Sequence, residues 1–418
     1  MTQIFGPAQA GGVQKATHAF VIGVGDYPYA KPEMGKEEKL RGVRDLPSAA
    51  DSAKLMCDWL IANKDKLAAP LGSIEVLISD VPGGATRYAP REPALLQPID
   101  RADGTTIPAA GLAWLNRINQ DPGCTALFYA CGHGANHGAS PVLFHSDLNL
   151  HMLGGAWAHL NVGSMALAFR QMPDLAAGFF FLDACGEFVP GMPSRVSDNY
   201  FIQPEDPNET DRDKVWLFAA ASPGVKAYPG ANINAVGPVV PETQFDDVPP
   251  RDTESPDVGL VKFGRFTQTL LKGLNGAVAR WAGEWCVDNM ALGAAALKTL
   301  HRIYFPSWND RPFEPTDVLT INDRVTIIRH PSVALPVLVL TDPANLTDKV
   351  DLKISLTNGG EQPWVKSRPK REATPWPTHV DGDINALFYA LAIDDAGNCH
   401  PRFFIADQPH FDHRVPIK

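Results

Sequence analysis

The chain has 418 residues, enough for two or three domains, and its 44 % hydrophobic and 20 % charged content exclude a disordered chain. A net charge of −10, from 37 Lys and Arg against 47 Asp and Glu, argues against general affinity for nucleic acid or anionic lipid, so neither is an expected partner. No apolar run approaches the roughly 18 residues of a membrane helix. Six cysteines (Cys57, Cys124, Cys131, Cys185, Cys286 and Cys399) form no CxxC pair, which suggests neither a zinc site nor a disulfide framework. A reduced, cytoplasmic protein is expected.

In chain order, residues 1–17 read as a flexible leader without the apolar core of a signal peptide. Residues 18–25 (HAFVIGVG) read as a buried strand, 47–61 as a helix with apolar residues at helical spacing, and 73–79 (SIEVLIS) as a second strand. A helix over 111–118 precedes a third strand at 124–130 (CTALFYA). Another helix at 164–172 precedes a fourth strand at 178–184 (GFFFLDA), and 215–221 (VWLFAAA) is a fifth. Helices are predicted at 266–274 and 290–304. Continuous apolar strands alternating with helices predict an α/β fold with a mostly parallel sheet flanked by helices. Two polar, proline-bearing stretches, about 190–213 and 229–259, read as long mobile loops. From 334 to 418 the runs shorten to strand length, at 335–340, 350–356, 386–392 and 402–406, with turn residues between them. These predict a small all-β, sandwich-like accessory domain after a main domain spanning 18–330.

Chemistry in such sheets gathers beyond the carboxyl ends of the strands. The third strand runs into Cys131-Gly132-His133-Gly134 and the fourth into Asp183-Ala184-Cys185-Gly186. A thiol and an imidazole on one sheet edge form a nucleophile–base pair, in which the imidazole holds the thiolate and later protonates a leaving amine. The glycines keep the backbone open for amide donors to a developing oxyanion. A lone cysteine after an apolar strand is more simply a buried, inert thiol. The matching position of His133 favours chemistry over that plainer reading.

These segments resemble the caspase-like cysteine peptidases, especially the metacaspases and prokaryotic caspase homologues. The resemblance rests on several pieces in order: 18–29 (HAFVIGVGDYPY), the Leu46-Pro-Ser-Ala-Ala-Asp51 helix start, Gly-His-Gly at 132–134, Asp-x-Cys at 183–185, 217–228 (LFAAASPGVKAY) and Gly-x-Phe-Thr at 264–267. It covers about residues 15–305, with the His some 50 residues upstream of the Cys. It implies that His133 is the base and Cys185 the nucleophile, a dyad without an obvious third member. The amides of Gly134 and Cys185 would hold the oxyanion. It also implies an acidic pocket for the residue before the scissile bond, formed by Asp183 and Asp51 with a polar residue two before the His. Cys131 occupies that last position, a departure from the pattern. Paired carboxylates would select Arg over Lys.

Other readings stay open. Ser48-x-x-Asp51 resembles a capping box, in which Asp51 only caps its helix. Arg44 could supply a basic pocket and so an Asp specificity, as in animal caspases, but Asp183 then has no explanation. Some metacaspases bind calcium through an Asp-rich run after Gly-His-Gly. That run is replaced here by 135–140 (ANHGAS), with only Asp147 and the acidic 205–213 stretch as weak substitutes, so no cofactor is expected and calcium is the one alternative. His137, His145, His151 and His159 do not follow a metal-ligand spacing. By resemblance, loop cleavage by the enzyme itself, an activating protease or a partner protein could activate the chain, with Arg195, Arg212 and Arg251 as candidate processing sites. The expected function is a cysteine endopeptidase acting on protein or peptide substrates, in bacterial stress, cell-death or defence settings implied only by the resemblance. The alternatives are a non-enzymatic interaction module and another thiol hydrolase or acyl transferase.

Overall fold

The computed structural model describes residues 2–6, 15–30, 43–80, 86–88, 97–148, 158–186, 214–222, 263–304, 313–321, 323–356, 365–372, 375–381 and 383–417. Its elements begin β1 (Gln3–Phe5), β2 (Thr17–Val24), α1 (Pro47–Ala62), β3 (Leu71–Ser79), β4 (Thr86–Tyr88), β5 (Gln97–Ile99), α2 (Thr106–Asn119) and β6 (Thr125–Cys131). They continue with β7 (Gly134–His137), β8 (Ser140–Phe144), β9 (His159–Asn161), α3 (Val162–Arg170), β10 (Ala177–Asp183), β11 (Val215–Ala219) and α4 (Arg265–Lys272). Next come β12 (Arg280–Trp281), β13 (Trp285–Asp288), α5 (Ala294–Tyr304), β14 (Thr316–Leu319), β15 (Thr326–His330) and β16 (Ala334–Asp342). The last are β17 (Asp351–Leu356), β18 (Val365–Ser367), β19 (Trp376–Asp381), β20 (Asp383–Ile393), β21 (Cys399–Ala406) and β22 (His410–Pro416). The chain divides into two compact units, Met1–Leu271 with Gly293–Val325, and Lys272–Leu292 with Thr326–Lys418.

The first unit is mixed α/β. A seven-stranded sheet runs in the order β1-β3-β2-β6-β10-β11-β14. Its five inner strands are parallel, and β1 and β14 close the edges antiparallel. Every residue of β2 and β10 is buried, as continuous apolar strands require when both faces are covered. On one face, Trp114 of α2 stacks on Phe169 of α3 at 4.8 Å, and Phe128 and Phe180 meet at 5.5 Å on the neighbouring strands β6 and β10. Each such pair adds about 0.5–1.5 kcal/mol beyond its area. The Trp114 indole N–H donates to the His18 carbonyl at 2.9 Å, so burying the ring leaves no orphan donor.

The strands and helices expected in this unit occur with shifted ends, α2 starting at Thr106 and α5 at Ala294. One expectation needs correction. Part of the supposed flexible leader is ordered: Gln3–Phe5 pairs with β3, and Ile4 is buried. The segment after Gly-His-Gly, for which the sequence predicts no element, builds a three-stranded antiparallel sheet, β7-β8-β9. The 190–213 and 229–259 stretches, with Arg195, Arg212 and Arg251, lie outside the described residues.

Just beyond β8, His145 is buried and neither of its ring nitrogens has a partner among the described residues. Burial, then the charge of neighbouring His159, lowers its pKa to about 3. The fold therefore favours the neutral ring. That contribution is complete above the unfolded value near 6.5 and is lost as pH falls toward 3. His145→Leu is expected to flatten the decline of Tm between pH 6.5 and pH 4. Equal declines for wild type and variant would refute this.

The second unit holds three sheets: β12-β13-β15, β19-β16-β22 and β18-β17-β20-β21. All pairings are antiparallel except β16 with β22. The accessory β region begins earlier than the expected 334. Lys272–Leu292 belongs to it because β13 pairs with β15 along the Trp285–His330 register. Phe404 of β21 stacks on Phe388 of β20 and touches His413 of β22 at 4.8 Å, joining the four-stranded sheet to the three-stranded one. Among the described residues, no helix is long and apolar enough to cross a membrane. Nor is any group of three or more His, Cys, Asp or Glu side chains among them placed to hold a metal ion.

Candidate active site

The parallel register of β6 and β10 sets Cys131 opposite Asp183. His133 follows two residues after β6 and Cys185 two residues after β10, both beyond the carboxyl edge of the sheet. The two segments stay joined there: the Gly132 amide donates to the Asp183 carbonyl at 3.2 Å. At Gly134, an added Cβ would stand 2.4 Å from the Val142 carbonyl oxygen, 2.7 Å from Ala184 Cβ and 3.4 Å from the Cys185 carbonyl oxygen. Only a glycine permits this approach of the His-bearing strand to the Cys-bearing loop. Buried Asn136 ties the two again, its side-chain amide donating to the Gly186 carbonyl at 3.2 Å.

The His133 Nε2 meets the backbone carbonyl of Arg44 at 2.8 Å. A carbonyl only accepts, so Nε2 carries the proton in the neutral ring and Nδ1 keeps the basic lone pair. This orienting acceptor was not foreseen in the sequence, where Arg44 was weighed for its side chain. The Arg44 side chain is exposed. A main-chain oxygen carries no residue identity, so only the loop's path could reveal it.

Phe144 N–H donates to the His133 carbonyl at 2.9 Å, beside the Gly134–Leu143 pair. That makes Gly134 and Leu143 a non-hydrogen-bonded pair, so the Gly134 N–H turns away from β8.

All six cysteines are free thiols. Burial pushes Cys57 and Cys131 well above the ordinary thiol value and Cys124 to about 12, so these three stay protonated. Cys286 is also buried, Cys185 is half-buried and Cys399 is exposed in the second unit. Cys185 is thus the partly accessible thiol at the strand edge where the imidazole lies.

Asp183 is 6 % exposed. Its Oδ2 accepts from the Thr267 hydroxyl at 2.6 Å and from the Thr267 amide, in the first turn of α4, at 3.3 Å. Gly264 lies so close that a Cβ there would fall 2.0 Å from Oδ2. Burial raises the Asp183 pKa, outweighing the hydrogen bonds from Thr267 and Cys131. The Cys131 thiol also bonds to Ser52, whose hydroxyl accepts the Gly264 amide at 2.9 Å. Ser52, Cys131, Asp183, Gly264 and Thr267 thus form one polar nest.

Asp51 is placed differently. It lies 3.6 Å from Lys54 one turn on, and Lys54 also meets Asp80 at 2.6 Å. At 100° per residue, the next position along α1, Ser52, is the one that reaches the nest. Nor does Asp51 cap α1, which begins at Pro47 with Leu46 as its cap residue and no side-chain cap bond.

No family model matches the chain. Over an alignment of 172 positions that covers 36 % of this chain, it is 26 % identical to "Uncharacterized protein y4kE" of Sinorhizobium fredii (strain NBRC 101917 / NGR234). The match covers 44 % of that relative, so the chain spans less than half the length of the protein to which it is similar.

Proposed function

We propose that this chain is a caspase-like cysteine endopeptidase that cleaves protein or peptide substrates after basic residues, Arg over Lys. The observation that carries the reading is the Cys131–Asp183 register, which launches His133 and Cys185 from one edge while Arg44 fixes the imidazole tautomer. In this reading Cys185 passes its Sγ proton to His133 Nδ1, and the thiolate attacks the scissile carbonyl carbon. The negative charge on the carbonyl oxygen is met by the amides of Gly134 and Cys185. Collapse breaks the C–N bond, His133 gives its proton to the departing amine, and water then hydrolyses the thioester.

Buried Asp183 favours a basic specificity. Among the described residues it has neutral hydrogen-bonding partners and no ion pair. An arriving guanidinium would supply the missing charge, whereas a substrate carboxylate would meet like charge in a desolvated site. The free thiols support a reducing, cytoplasmic setting.

The test is hydrolysis of fluorogenic peptides ending in Arg, Lys or Asp, with and without calcium, before and after limited proteolysis. Hydrolysis after Arg, weaker after Lys, is expected. Hydrolysis after Asp would overturn the pocket assignment. Silence with every peptide, in both the intact and the nicked protein, would favour an interaction module.

A further inference from the structure

The proposed dyad depends on two relations: the His133 ring must face Cys185, and the Arg44 carbonyl must stay on the ring's far nitrogen. One buried residue is connected to both. Tyr27 is 1 % exposed, just beyond β2. Its phenol oxygen accepts the His133 backbone N–H at 2.7 Å, and its ring packs against the imidazole with centroids 5.0 Å apart. The same residue's amide donates to Asp45 Oδ1 at 3.0 Å. Beside it, the Leu46 amide donates to the Gly25 carbonyl at 2.7 Å. These last two bonds fasten residues 45 and 46 to the end of β2, and Arg44 is the residue immediately before them.

The geometry points to Tyr27 as a positioning residue for the proposed reaction: through its phenol oxygen and its amide it holds the imidazole of His133 and the carbonyl of Arg44 in fixed relation. This rests on the cysteine peptidase reading of the site. The physical reason is mechanical. His133 follows a strand end and Arg44 lies in a loop, and no strand ladder joins β2's following loop to the turn at 132–133. A 2.8 Å imidazole–carbonyl bond survives only if both ends are anchored to a common body. Tyr27 supplies that body from within the core, with both χ angles locked by burial. Burial first, and then the nearby Cys131, Cys185 and Asp26, disfavour the phenolate, so the oxygen remains a neutral phenol, able to accept the His133 N–H.

Two variants address the two arms. Tyr27→Phe keeps the ring and removes the oxygen, and Asp45→Ala removes the acceptor of the Tyr27 amide. Each is studied in the full chain by three measurements: Tm, ¹⁵N chemical shifts of the His133 ring assigned against His133→Ala, and the pH dependence of Cys185 alkylation by iodoacetamide. The expected result is a Tm within a few degrees of wild type, with the His133 ring moving from one Nε2–H tautomer to a mixture. The alkylation rate near neutral pH should fall about tenfold, with its midpoint displaced upward. A purely structural Tyr27 would lower Tm and leave the ring tautomer and the alkylation midpoint unchanged, and that outcome overturns the inference. The peptidase reading fails separately, if His133→Ala leaves Cys185 alkylation unaltered. The tautomer measurement still decides the role of Tyr27 in that case.

Discussion

Replacing Cys185 with alanine is expected to reduce hydrolysis of an Arg-terminated fluorogenic peptide to the uncatalysed background, with little change in Tm. Cys185 is half-buried at a strand edge, so trimming its sulfur opens no core cavity. His133→Ala should lower kcat by about 10²–10⁴, the usual range for a positioned general base. The decisive arm is the thiol itself. His133→Ala should slow alkylation of Cys185 near neutral pH, because the imidazole no longer takes the thiol proton. An alkylation rate and pH profile identical to wild type would show that His133 and Cys185 do not work on the same proton, and the dyad would be abandoned.

The second large effect is expected at Asp183, where specificity and stability move in opposite directions. Asp183→Asn preserves the side chain's shape and an oxygen for the Thr267 hydroxyl and amide, but removes the charge offered to a substrate guanidinium. Hydrogen bonds to charged groups contribute about 1.5–3 kcal/mol, so kcat/KM for Arg peptides should fall about ten- to hundredfold. Stability should rise. Burial raises the folded pKa of Asp183, so the fold favours the protonated acid and loses that contribution as pH climbs through the raised value. The asparagine has no proton to lose. The Tm advantage of Asp183→Asn over wild type should therefore be smallest near pH 4 and grow toward pH 7. An advantage that does not change with pH would mean that the α4 N-terminus and Thr267 stabilise the carboxylate as fully as water does.

Several features of this protein were written in the sequence because they depend on residue type and spacing alone. The strands of the central sheet could be read because 18–25, 124–130 and 178–184 are apolar without interruption, which is what burial on both faces demands. Placing His133 and Cys185 at the ends of two of those strands followed from the same pattern. The hairpin after His133 escaped notice because Gly134, Ala135 and Asn136 carry no β-branched or alternating signal. Tertiary contact alone makes them a strand, through pairing with 140–143.

Four decisions belonged to the tertiary structure. The register of β6 on β10 brought Cys131 to Asp183, since a parallel pairing is set by the packing of whole strands and not by any local motif. The rotational phase of α1 chose Ser52 over Asp51 for the polar nest, a matter of 100° on a helix whose axis the sheet determines. The path of the 43–46 loop brought the Arg44 carbonyl to His133, a main-chain contact that no side chain announces. Long-range pairing of β13 with β15 assigned Lys272–Leu292 to the second unit. Residue types at the strand ends singled out His133 and Cys185 as candidates, and the resemblance added Asp183, Asp51 and Cys131. Which of them meet was fixed by strand register, helix phase and loop path, because these arise from packing between segments far apart in the chain.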